Sequence, residues 1–379
     1  NVLDLIDSDV TWNIGSSGDY TTLEDAMAAA RSVQIHPDAT LTLQVANDIY
    51  YPSAAINLNH PQGSNIIIQG NATDNTLVKF EFSGTDGFVV NNGHTIGGIH
   101  DMTIQGDGTA GNGILLERNA VAYLSNIATD NLTNGIQVWS GSSAFLSGSN
   151  VVDNSSSYGV SVRHGSLIYG DTDSLEIYNS YGDGLKLGDG SVGRLDGLIA
   201  STNGWSGVSV FHGSTLRADN ANLSNNTKDG LNLLYSSNVR SLYSTITGNG
   251  DEGSESAYAS SVVLNESTIE SNAGSGIVSN LGSSSQCGLC SINSNRYGVQ
   301  SVNNGSLYVY NSSTINNNTY DGVEVYSSGS ASISNSTVSG NGGIGIESVY
   351  LGYISESGNT VTGNGTNLSA SATTYSIIR

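Results

Sequence analysis

The stretch Gly207-Val-Ser-Val-Phe211 recurs with one change as Gly159-Val-Ser-Val-Arg163. In both, a glycine opens a run with apolar residues at every second position. That alternation marks a strand with one buried face. The same glycine–apolar pair appears as Gly113-Ile114, Gly135-Ile136, Gly184-Leu185 and Gly230-Leu231. It returns as Gly276-Ile277, Gly298-Val299, Gly322-Val323 and Gly345-Ile346. From Gly113 onward the spacings are 22, 24, 25, 23, 23, 46, 22, 24 and 23 residues. The 46 is two periods, and Ser261-Val262 is expected to stand in the gap.

Each period holds a second alternating run after a Gly-Ser or Ser-Ser turn, such as Ser306-Leu-Tyr-Val-Tyr310, and a third apolar pair, such as Thr245-Ile246. Three short strands in ~23 residues leave no room for a crossover helix. The period therefore predicts an all-β chain, a single-stranded parallel β-helix whose coils lie ~4.8 Å apart. An asparagine precedes most marks by four or five residues: Asn131, Asn154, Asn179, Asn203, Asn226, Asn249, Asn272, Asn318 and Asn341. Asparagine tolerates left-handed backbone and bonds to neighbouring main chain, so an amide ladder inside one turn is expected.

Composition excludes several classes. The chain carries 33 acidic and 11 basic residues, a net charge of −22. A nucleic-acid surface needs clustered Lys and Arg, so no nucleic-acid partner is expected. No apolar run approaches the ~18 residues of a spanning helix, so no membrane insertion is expected. Recurrent Val, Ile and Leu, with 19 Tyr, argue against disorder. The acidity suits an extracellular or high-salt setting. The only two cysteines, Cys287 and Cys290, point to buried packing or a local disulfide.

The ends differ from the middle. Residues 21–31 place Leu23, Ala26, Met27 and Ala30 at helical spacing behind Thr22, a suitable N-cap. A helix there would cover the first open coil. The expected organisation is an N-terminal segment with capping helix over residues 1–34, the β-helix over 35–365 and a tail over 366–379.

The segment Gly18-Asp-Tyr-Thr-Thr-Leu-Glu-Asp-Ala-Met27, then Ile66-Ile-Ile-Gln-Gly70, then the Gly-Val repeats, resembles the pectin-lyase-like right-handed parallel β-helix superfamily. With Thr11-Trp12-Asn13-Ile14 ahead of the helix, the opening is most similar to bacteriophage tail spikes and tail fibres of that fold. The resemblance implies a homotrimer on the virion tail or outside the cell. Its partners would be a bacterial surface polysaccharide and other virion tail proteins. The superfamily's lyase motifs (Trp-Ile-Asp-His, Arg-X-Pro-X-X-Arg) and its Gly-His-Gly hydrolase motif are absent, so no catalytic residue carries over.

Stacking turns an offset from the glycine mark into a column. Offset +4 contains Glu117, Trp139, Arg163 and Phe211, and +5 contains His164 and His212. Offset +10 contains Tyr169, Arg194 and Arg217, and +12 contains Asp171, Asp196 and Asp219. Aromatic rings with polar tips and Arg forks suit sugars. Trp139, Arg163, His164, Tyr169, Arg194, Phe211, His212 and Arg217 are therefore the expected substrate contacts; a solvated face or a subunit contact is the competing reading. Asp171, Asp196 and Asp219, one coil apart, are the candidate acids, with Glu117 in reserve. Stacked carboxylates push one another's pKa apart, as acid and base chemistry requires. Surface Arg–Asp pairs are the plainer reading of that column. No metal site and no cofactor are assigned, although Asp107, Asp183 and Asp189 near glycine-rich turns could hold Ca²⁺. The first functional expectation is a tail spike that recognises and cleaves a bacterial surface polysaccharide. The alternatives are a non-enzymatic adhesin or structural fibre, and a secreted polysaccharide lyase or epimerase.

Overall fold

The computed structural model of the chain describes residues 4–370 and 377–378. Residues 371–376 and 379 of the expected tail, and 1–3 of the expected N-terminal segment, lie outside the described residues. The fold is the expected right-handed parallel β-helix. Most coils carry three strands, each paired in parallel with its equivalent one coil on; in Thr95–Gly106 and Val121–Asp130 two of the three run together as one strand. Val208–Phe211 pairs with Leu231–Leu234, Thr215–Arg217 with Asn238–Arg240, and Asn222–Ser224 with Thr245–Thr247. The hand is the one that parallel β connections almost always take.

The chain forms two compact units, Asn1–Gly182 with Ser191–Leu195, and Asp183–Gly190 with Asp196–Arg379. The first contains the capping helix, Leu23–Ala30. Thr22 caps it by accepting from the Asp25 N–H at 3.1 Å. Leu23, Ala26, Met27 and Ala30 are its buried face, set against strands Val10–Ile14, Val33–Ile35, Leu41–Val45 and Ile56–Asn57. The early coils are irregular, and large rings fill them. Tyr50 stacks on Phe80 at 4.9 Å, and Phe80 meets the edge of Phe88 at 5.1 Å.

The second unit is regular, and a buried amide ladder runs through it. Asn203, Asn226, Asn249, Asn272, Asn295, Asn318, Asn341 and Asn364 each lie 23 residues apart. Each Nδ2 donates to the next Oδ1, from Asn203 at 3.0 Å to Asn341 at 2.8 Å. Each backbone N–H donates to the same oxygen, at 2.9–3.1 Å. From Asn226 onward a second amide proton goes to a main-chain carbonyl of the coil before. The ladder explains the glycine mark. A Cβ on Gly207 would sit 2.7 Å from Asn226 Nδ2, and one on Gly230 would sit 2.8 Å from Asn249 Nδ2.

Three sequence expectations shift. Asn131, Asn154 and Asn179 belong to a different column, with left-handed backbone in the first unit. Asn295 joins the ladder although only three residues separate it from its mark, Gly298. The gap in the period is filled by strand Ser254–Ser256, which pairs with Leu231–Leu234 behind Gly253; Ser261–Val263 is the second strand of that coil. Ser254 and Ser256 are fully buried where other coils carry apolar residues, so an apolar pattern could not find them.

Cys287 and Cys290 form a buried disulfide. They occupy the positions of Ser241 and Ser244 two coils earlier, whose hydroxyls bond at 2.8 Å. The same corner therefore closes with or without a covalent link.

Two measurements check this account. Asn272→Ala removes the acceptor of two buried Asn249 donors, so urea unfolding should show a loss of roughly 3 kcal/mol; an unchanged midpoint would mean the ladder does not carry stability. Replacing both cysteines by serine should leave a folded protein with the same circular dichroism and cost at most about 2 kcal/mol, the entropy of so short a loop. An unfolded product would show that the corner needs its covalent bond.

Candidate functional site

A strand that buries alternate residues must present the others outward. In the second unit the outward residue two places after each mark forms a continuous register. Lys186 lies beside Ser209, Ser209 beside Asn232, Asn232 beside Glu255, and Glu255 beside Val278. The row continues through Gln300 and Glu324 to Glu347. The residues just before the marks run along its flank: Asp183, Ser206, Asp229, Glu252, Ser275, Tyr297 and Asp321.

Acidic groups meet on this strip. One carboxylate oxygen each from Asp229, Asp251 and Glu252 lies within 4.8 Å of the others. Asp229 is buried; its Oδ1 accepts the Glu252 N–H at 3.1 Å and its Oδ2 accepts Ser206 Oγ at 3.3 Å. Burial pushes the Glu252 carboxyl up to about 9, helped by its hydrogen bond to Asp251 and by the charges of Asp251, Asp229 and Glu255. Burial, with the Asp251 charge, also holds Asp229 above the usual carboxylate range. Glu255 is raised by burial and by the charges of Asp229 and Asp251. Near neutral pH this puts a protonated Glu252 on a half-buried, solvent-reachable strip among other carboxyls. At the strip's near end Asp183 is buried, and burial raises it despite Lys186 Nζ at 3.5 Å.

A second group forms at Asp321, Glu324 and Glu347, again within 4.8 Å. Burial raises Glu324, opposed by a hydrogen bond from Gln300, and burial with the charges of Asp321 and Glu324 raises Glu347. Arg296 lies 5.8 Å over Tyr297 and 5.5 Å over Tyr320 beside this group. Either carboxylate trio has the oxygen donors that suit a hard divalent cation.

The residues singled out from sequence land in ordered columns with defined neighbours. In the first unit Glu117 pairs with Trp139, and Trp139 with Arg163, across adjacent strands. The His164 ring stacks on Trp139 at 4.4 Å while Arg163 covers it at 5.7 Å. Arg194 covers Tyr169 at 5.3 Å, and Tyr123 stacks on Phe145 at 5.0 Å. Asp171 is exposed, in the turn after strand Leu167–Gly170. Asp107, a Ca²⁺ candidate, accepts hydrogen bonds from Ser83 and Thr109 that pull it down to about 2.

In the second unit Phe211 packs on Gly188, where a Cβ would lie 2.3 Å from its ring, and Lys186 Nζ sits 5.4 Å from the ring centroid. His212 Nδ1 lies 2.9 Å from Asp189. Arg217 bridges Asp196 at 3.2 Å and Asp219 at 3.0 Å, and Arg240 adds a contact to Asp219 at 3.1 Å. Asp219 is buried rather than on a solvated face, and its other oxygen accepts the Leu242 N–H at 3.0 Å. Both of its oxygens are thus engaged by the fold.

Sequence reasoning passed over Asp229, Asp251, Glu252 and Glu255. The signal was available: offsets −1 and +2 read Asp229, Glu252 and Asn232, Glu255. Aromatic and Arg columns are more conspicuous than carboxylate columns in a chain with 33 acidic and only 11 basic residues.

The family described as right handed beta helix region matches residues 158–314. No curated protein sequence matches the chain. Among solved structures, the catalytic unit of a thermostable GH87 alpha-1,3-glucanase from Streptomyces thermodiastaticus is similar at TM-score 0.56 and 14% identity, covering 93% of this chain and 67% of that one. The catalytic domain of a GH87 alpha-1,3-glucanase in complex with tetrasaccharides is similar at TM-score 0.52 and 16% identity, over 95% and 67%. The A-module of the Azotobacter vinelandii mannuronan C-5 epimerase AlgE6 is similar at TM-score 0.50 and 13% identity, over 93% and 91%. At these identities the likeness is one of fold.

The acidic group sets a pH dependence. Glu252 has a folded pKa above its unfolded value, so its contribution to stability is fully present below about 4.5 and is lost as pH rises toward about 9. Asp229 and Glu255 are raised too and act in the same sense. The melting temperature should therefore fall from pH 5 to pH 9, and Glu252→Gln should flatten the fall and stabilise the protein at pH 8. Parallel curves for the two proteins would show that Glu252 ionises normally.

Proposed function

We propose that the chain binds a polysaccharide along the second unit and hydrolyses it at the Asp229–Asp251–Glu252 group. One observation carries the reading: oxygens of Asp229, Asp251 and Glu252 lie within 4.8 Å of one another on an outward strip, where burial pushes Glu252 up to about 9. Hydrolysis of a glycosidic bond needs that pairing. Glu252 would give its proton to the leaving oxygen. The side-chain oxygens of Asp251, beside Glu252, would stabilise the positive charge developing at the anomeric carbon, while a water adds its hydroxyl there and returns its proton to Glu252. Coils ~4.8 Å apart give a strip whose repeat is near that of an extended glycan. The likeness in fold to glucanase and epimerase modules that act on polysaccharides is consistent with this.

The narrower reading is a homotrimeric bacteriophage tail spike on a virion, acting on a bacterial surface polysaccharide. Its support is the resemblance of the opening segments, Thr11 to Ile14 and Gly18 to Met27. Glycan contacts at Trp139, Arg163, His164, Tyr169, Arg194, Phe211, His212 and Arg217 belong to the same proposal. Asp171, Asp196, Asp219 and Glu117 are the alternative acids.

The test is release of reducing ends from a panel of polysaccharides. Glu252→Gln and Asp251→Asn should each lower turnover about 10²–10⁴-fold while binding persists. Full activity in both, with loss in Asp196→Asn or Asp219→Asn, would move the chemistry to the alternative acids. Binding without turnover by the unaltered protein would leave the adhesin reading.

A further inference from the structure

The outward strip of the second unit is nearly one-signed. Asp229, Asp251, Glu252 and Glu255 lie in one group, and Asp321, Glu324 and Glu347 lie three and four coils further on. The cations beside them are few: Lys228 is exposed next to Asp229 in the chain, and Lys186 and Arg296 are engaged. Lys186 is 3.5 Å from Asp183 and covers Phe211, and Arg296 lies over Tyr297 and Tyr320. Between the two groups the row carries Val278 and Gln300, both uncharged. Resting on the polysaccharide reading above, we infer that this strip takes glycans built from neutral or amino sugars and rejects polymers of uronic acids.

Two independent arguments of sign support this. The first concerns binding. A uronate polymer brings one carboxylate per sugar, at a repeat close to the coil spacing, so anion would face anion at each of the two acidic groups. Such repulsion is long-ranged at low salt, with a Debye length of about 10 Å at 0.1 M. The second concerns the reaction. Breaking a uronate by elimination, or inverting it at C5, begins by removing the proton beside the sugar carboxylate. Negative charge then grows on the substrate and needs a nearby cation or donor. The groups around Glu252 are carboxylates, which oppose that change. Hydrolysis develops positive charge at the anomeric carbon, which the same carboxylates favour. Ground state and transition state thus select in the same direction, toward sugars that bring no anion of their own.

The expected partner class is testable without knowing the natural polymer. Binding of oligogalacturonates, neutral gluco-oligosaccharides and chitosan oligosaccharides would be measured by calorimetry at 50 mM and 500 mM NaCl. Neutral or amino oligosaccharides should bind at least about tenfold more tightly than oligogalacturonates at low salt. Any chitosan binding should weaken with salt, and any oligogalacturonate binding should strengthen. Glu324→Gln with Glu347→Gln removes charge three and four coils from Glu252 and should improve oligogalacturonate binding severalfold relative to the neutral series. Tight oligogalacturonate binding that strengthens at low salt would overturn the charge selection alone, since a polysaccharide would still be bound. Failure of all three classes to bind would overturn the polysaccharide reading and this inference with it.

Discussion

The asparagine ladder is the constraint on which the second unit depends. Its steps are all 23 residues, even where the glycine marks slip to 22 and 24. The difference is taken up between Asn295 and Gly298, where the turn is one residue shorter than its neighbours. An amide bonded on both sides cannot slide by one residue without orphaning buried donors, and each orphan costs on the order of 1–3 kcal/mol. The ladder therefore clamps the register of all three strand rows and leaves the turns free to vary. In the first unit Asn131, Asn154 and Asn179 donate instead to Gly106, Asp130 and Asp153 of the coil before, and the coils vary more in length.

A clamped register has an electrostatic consequence. Residues at one offset meet their equivalents at the distance between strands, whatever their charge. Unlike neighbours form pairs, as Arg217 and Arg240 do around Asp196 and Asp219. Like neighbours must accommodate one another, and at Asp229, Asp251 and Glu252 one of them does so by keeping its proton. An acid of this kind is a product of stacking. Such an arrangement opposes folding increasingly as pH rises from about 4.5 toward about 9, the usual mark of a site kept for a reason other than stability.

The same stacking changes what an aromatic column offers. A ring can present its face to a sugar only if nothing else covers it. Trp139 is covered by His164 and Arg163, Tyr169 by Arg194, and Tyr235 stacks on Tyr258 at 4.7 Å. These columns work as cross-coil packing, and their edges and outermost rings are what remains for a ligand.

The sequence by itself determined the period, the three strands per coil, the inward and outward alternation, the capping helix at Leu23–Ala30 and the acidic surface. All of these are set within one coil or one helical turn, where a residue's neighbours are its near neighbours in the chain. It also contained the columns at offsets −1 and +2, but nothing local separated them from any other polar column. The tertiary structure decided which columns carry chemistry. Glu252 keeps its proton because the stacked coils bury it, helped by its hydrogen bond to its chain neighbour Asp251 and by the charge of Asp229, 23 residues before it and one coil away. Asn295 and Ser254 were hidden for a related reason: each departs from the local pattern and fits only because the coils above and below supply its partners or its space. Burial and spacing between coils arise only once the chain has closed its turns, and they turn a list of carboxylates into an acid with neighbours.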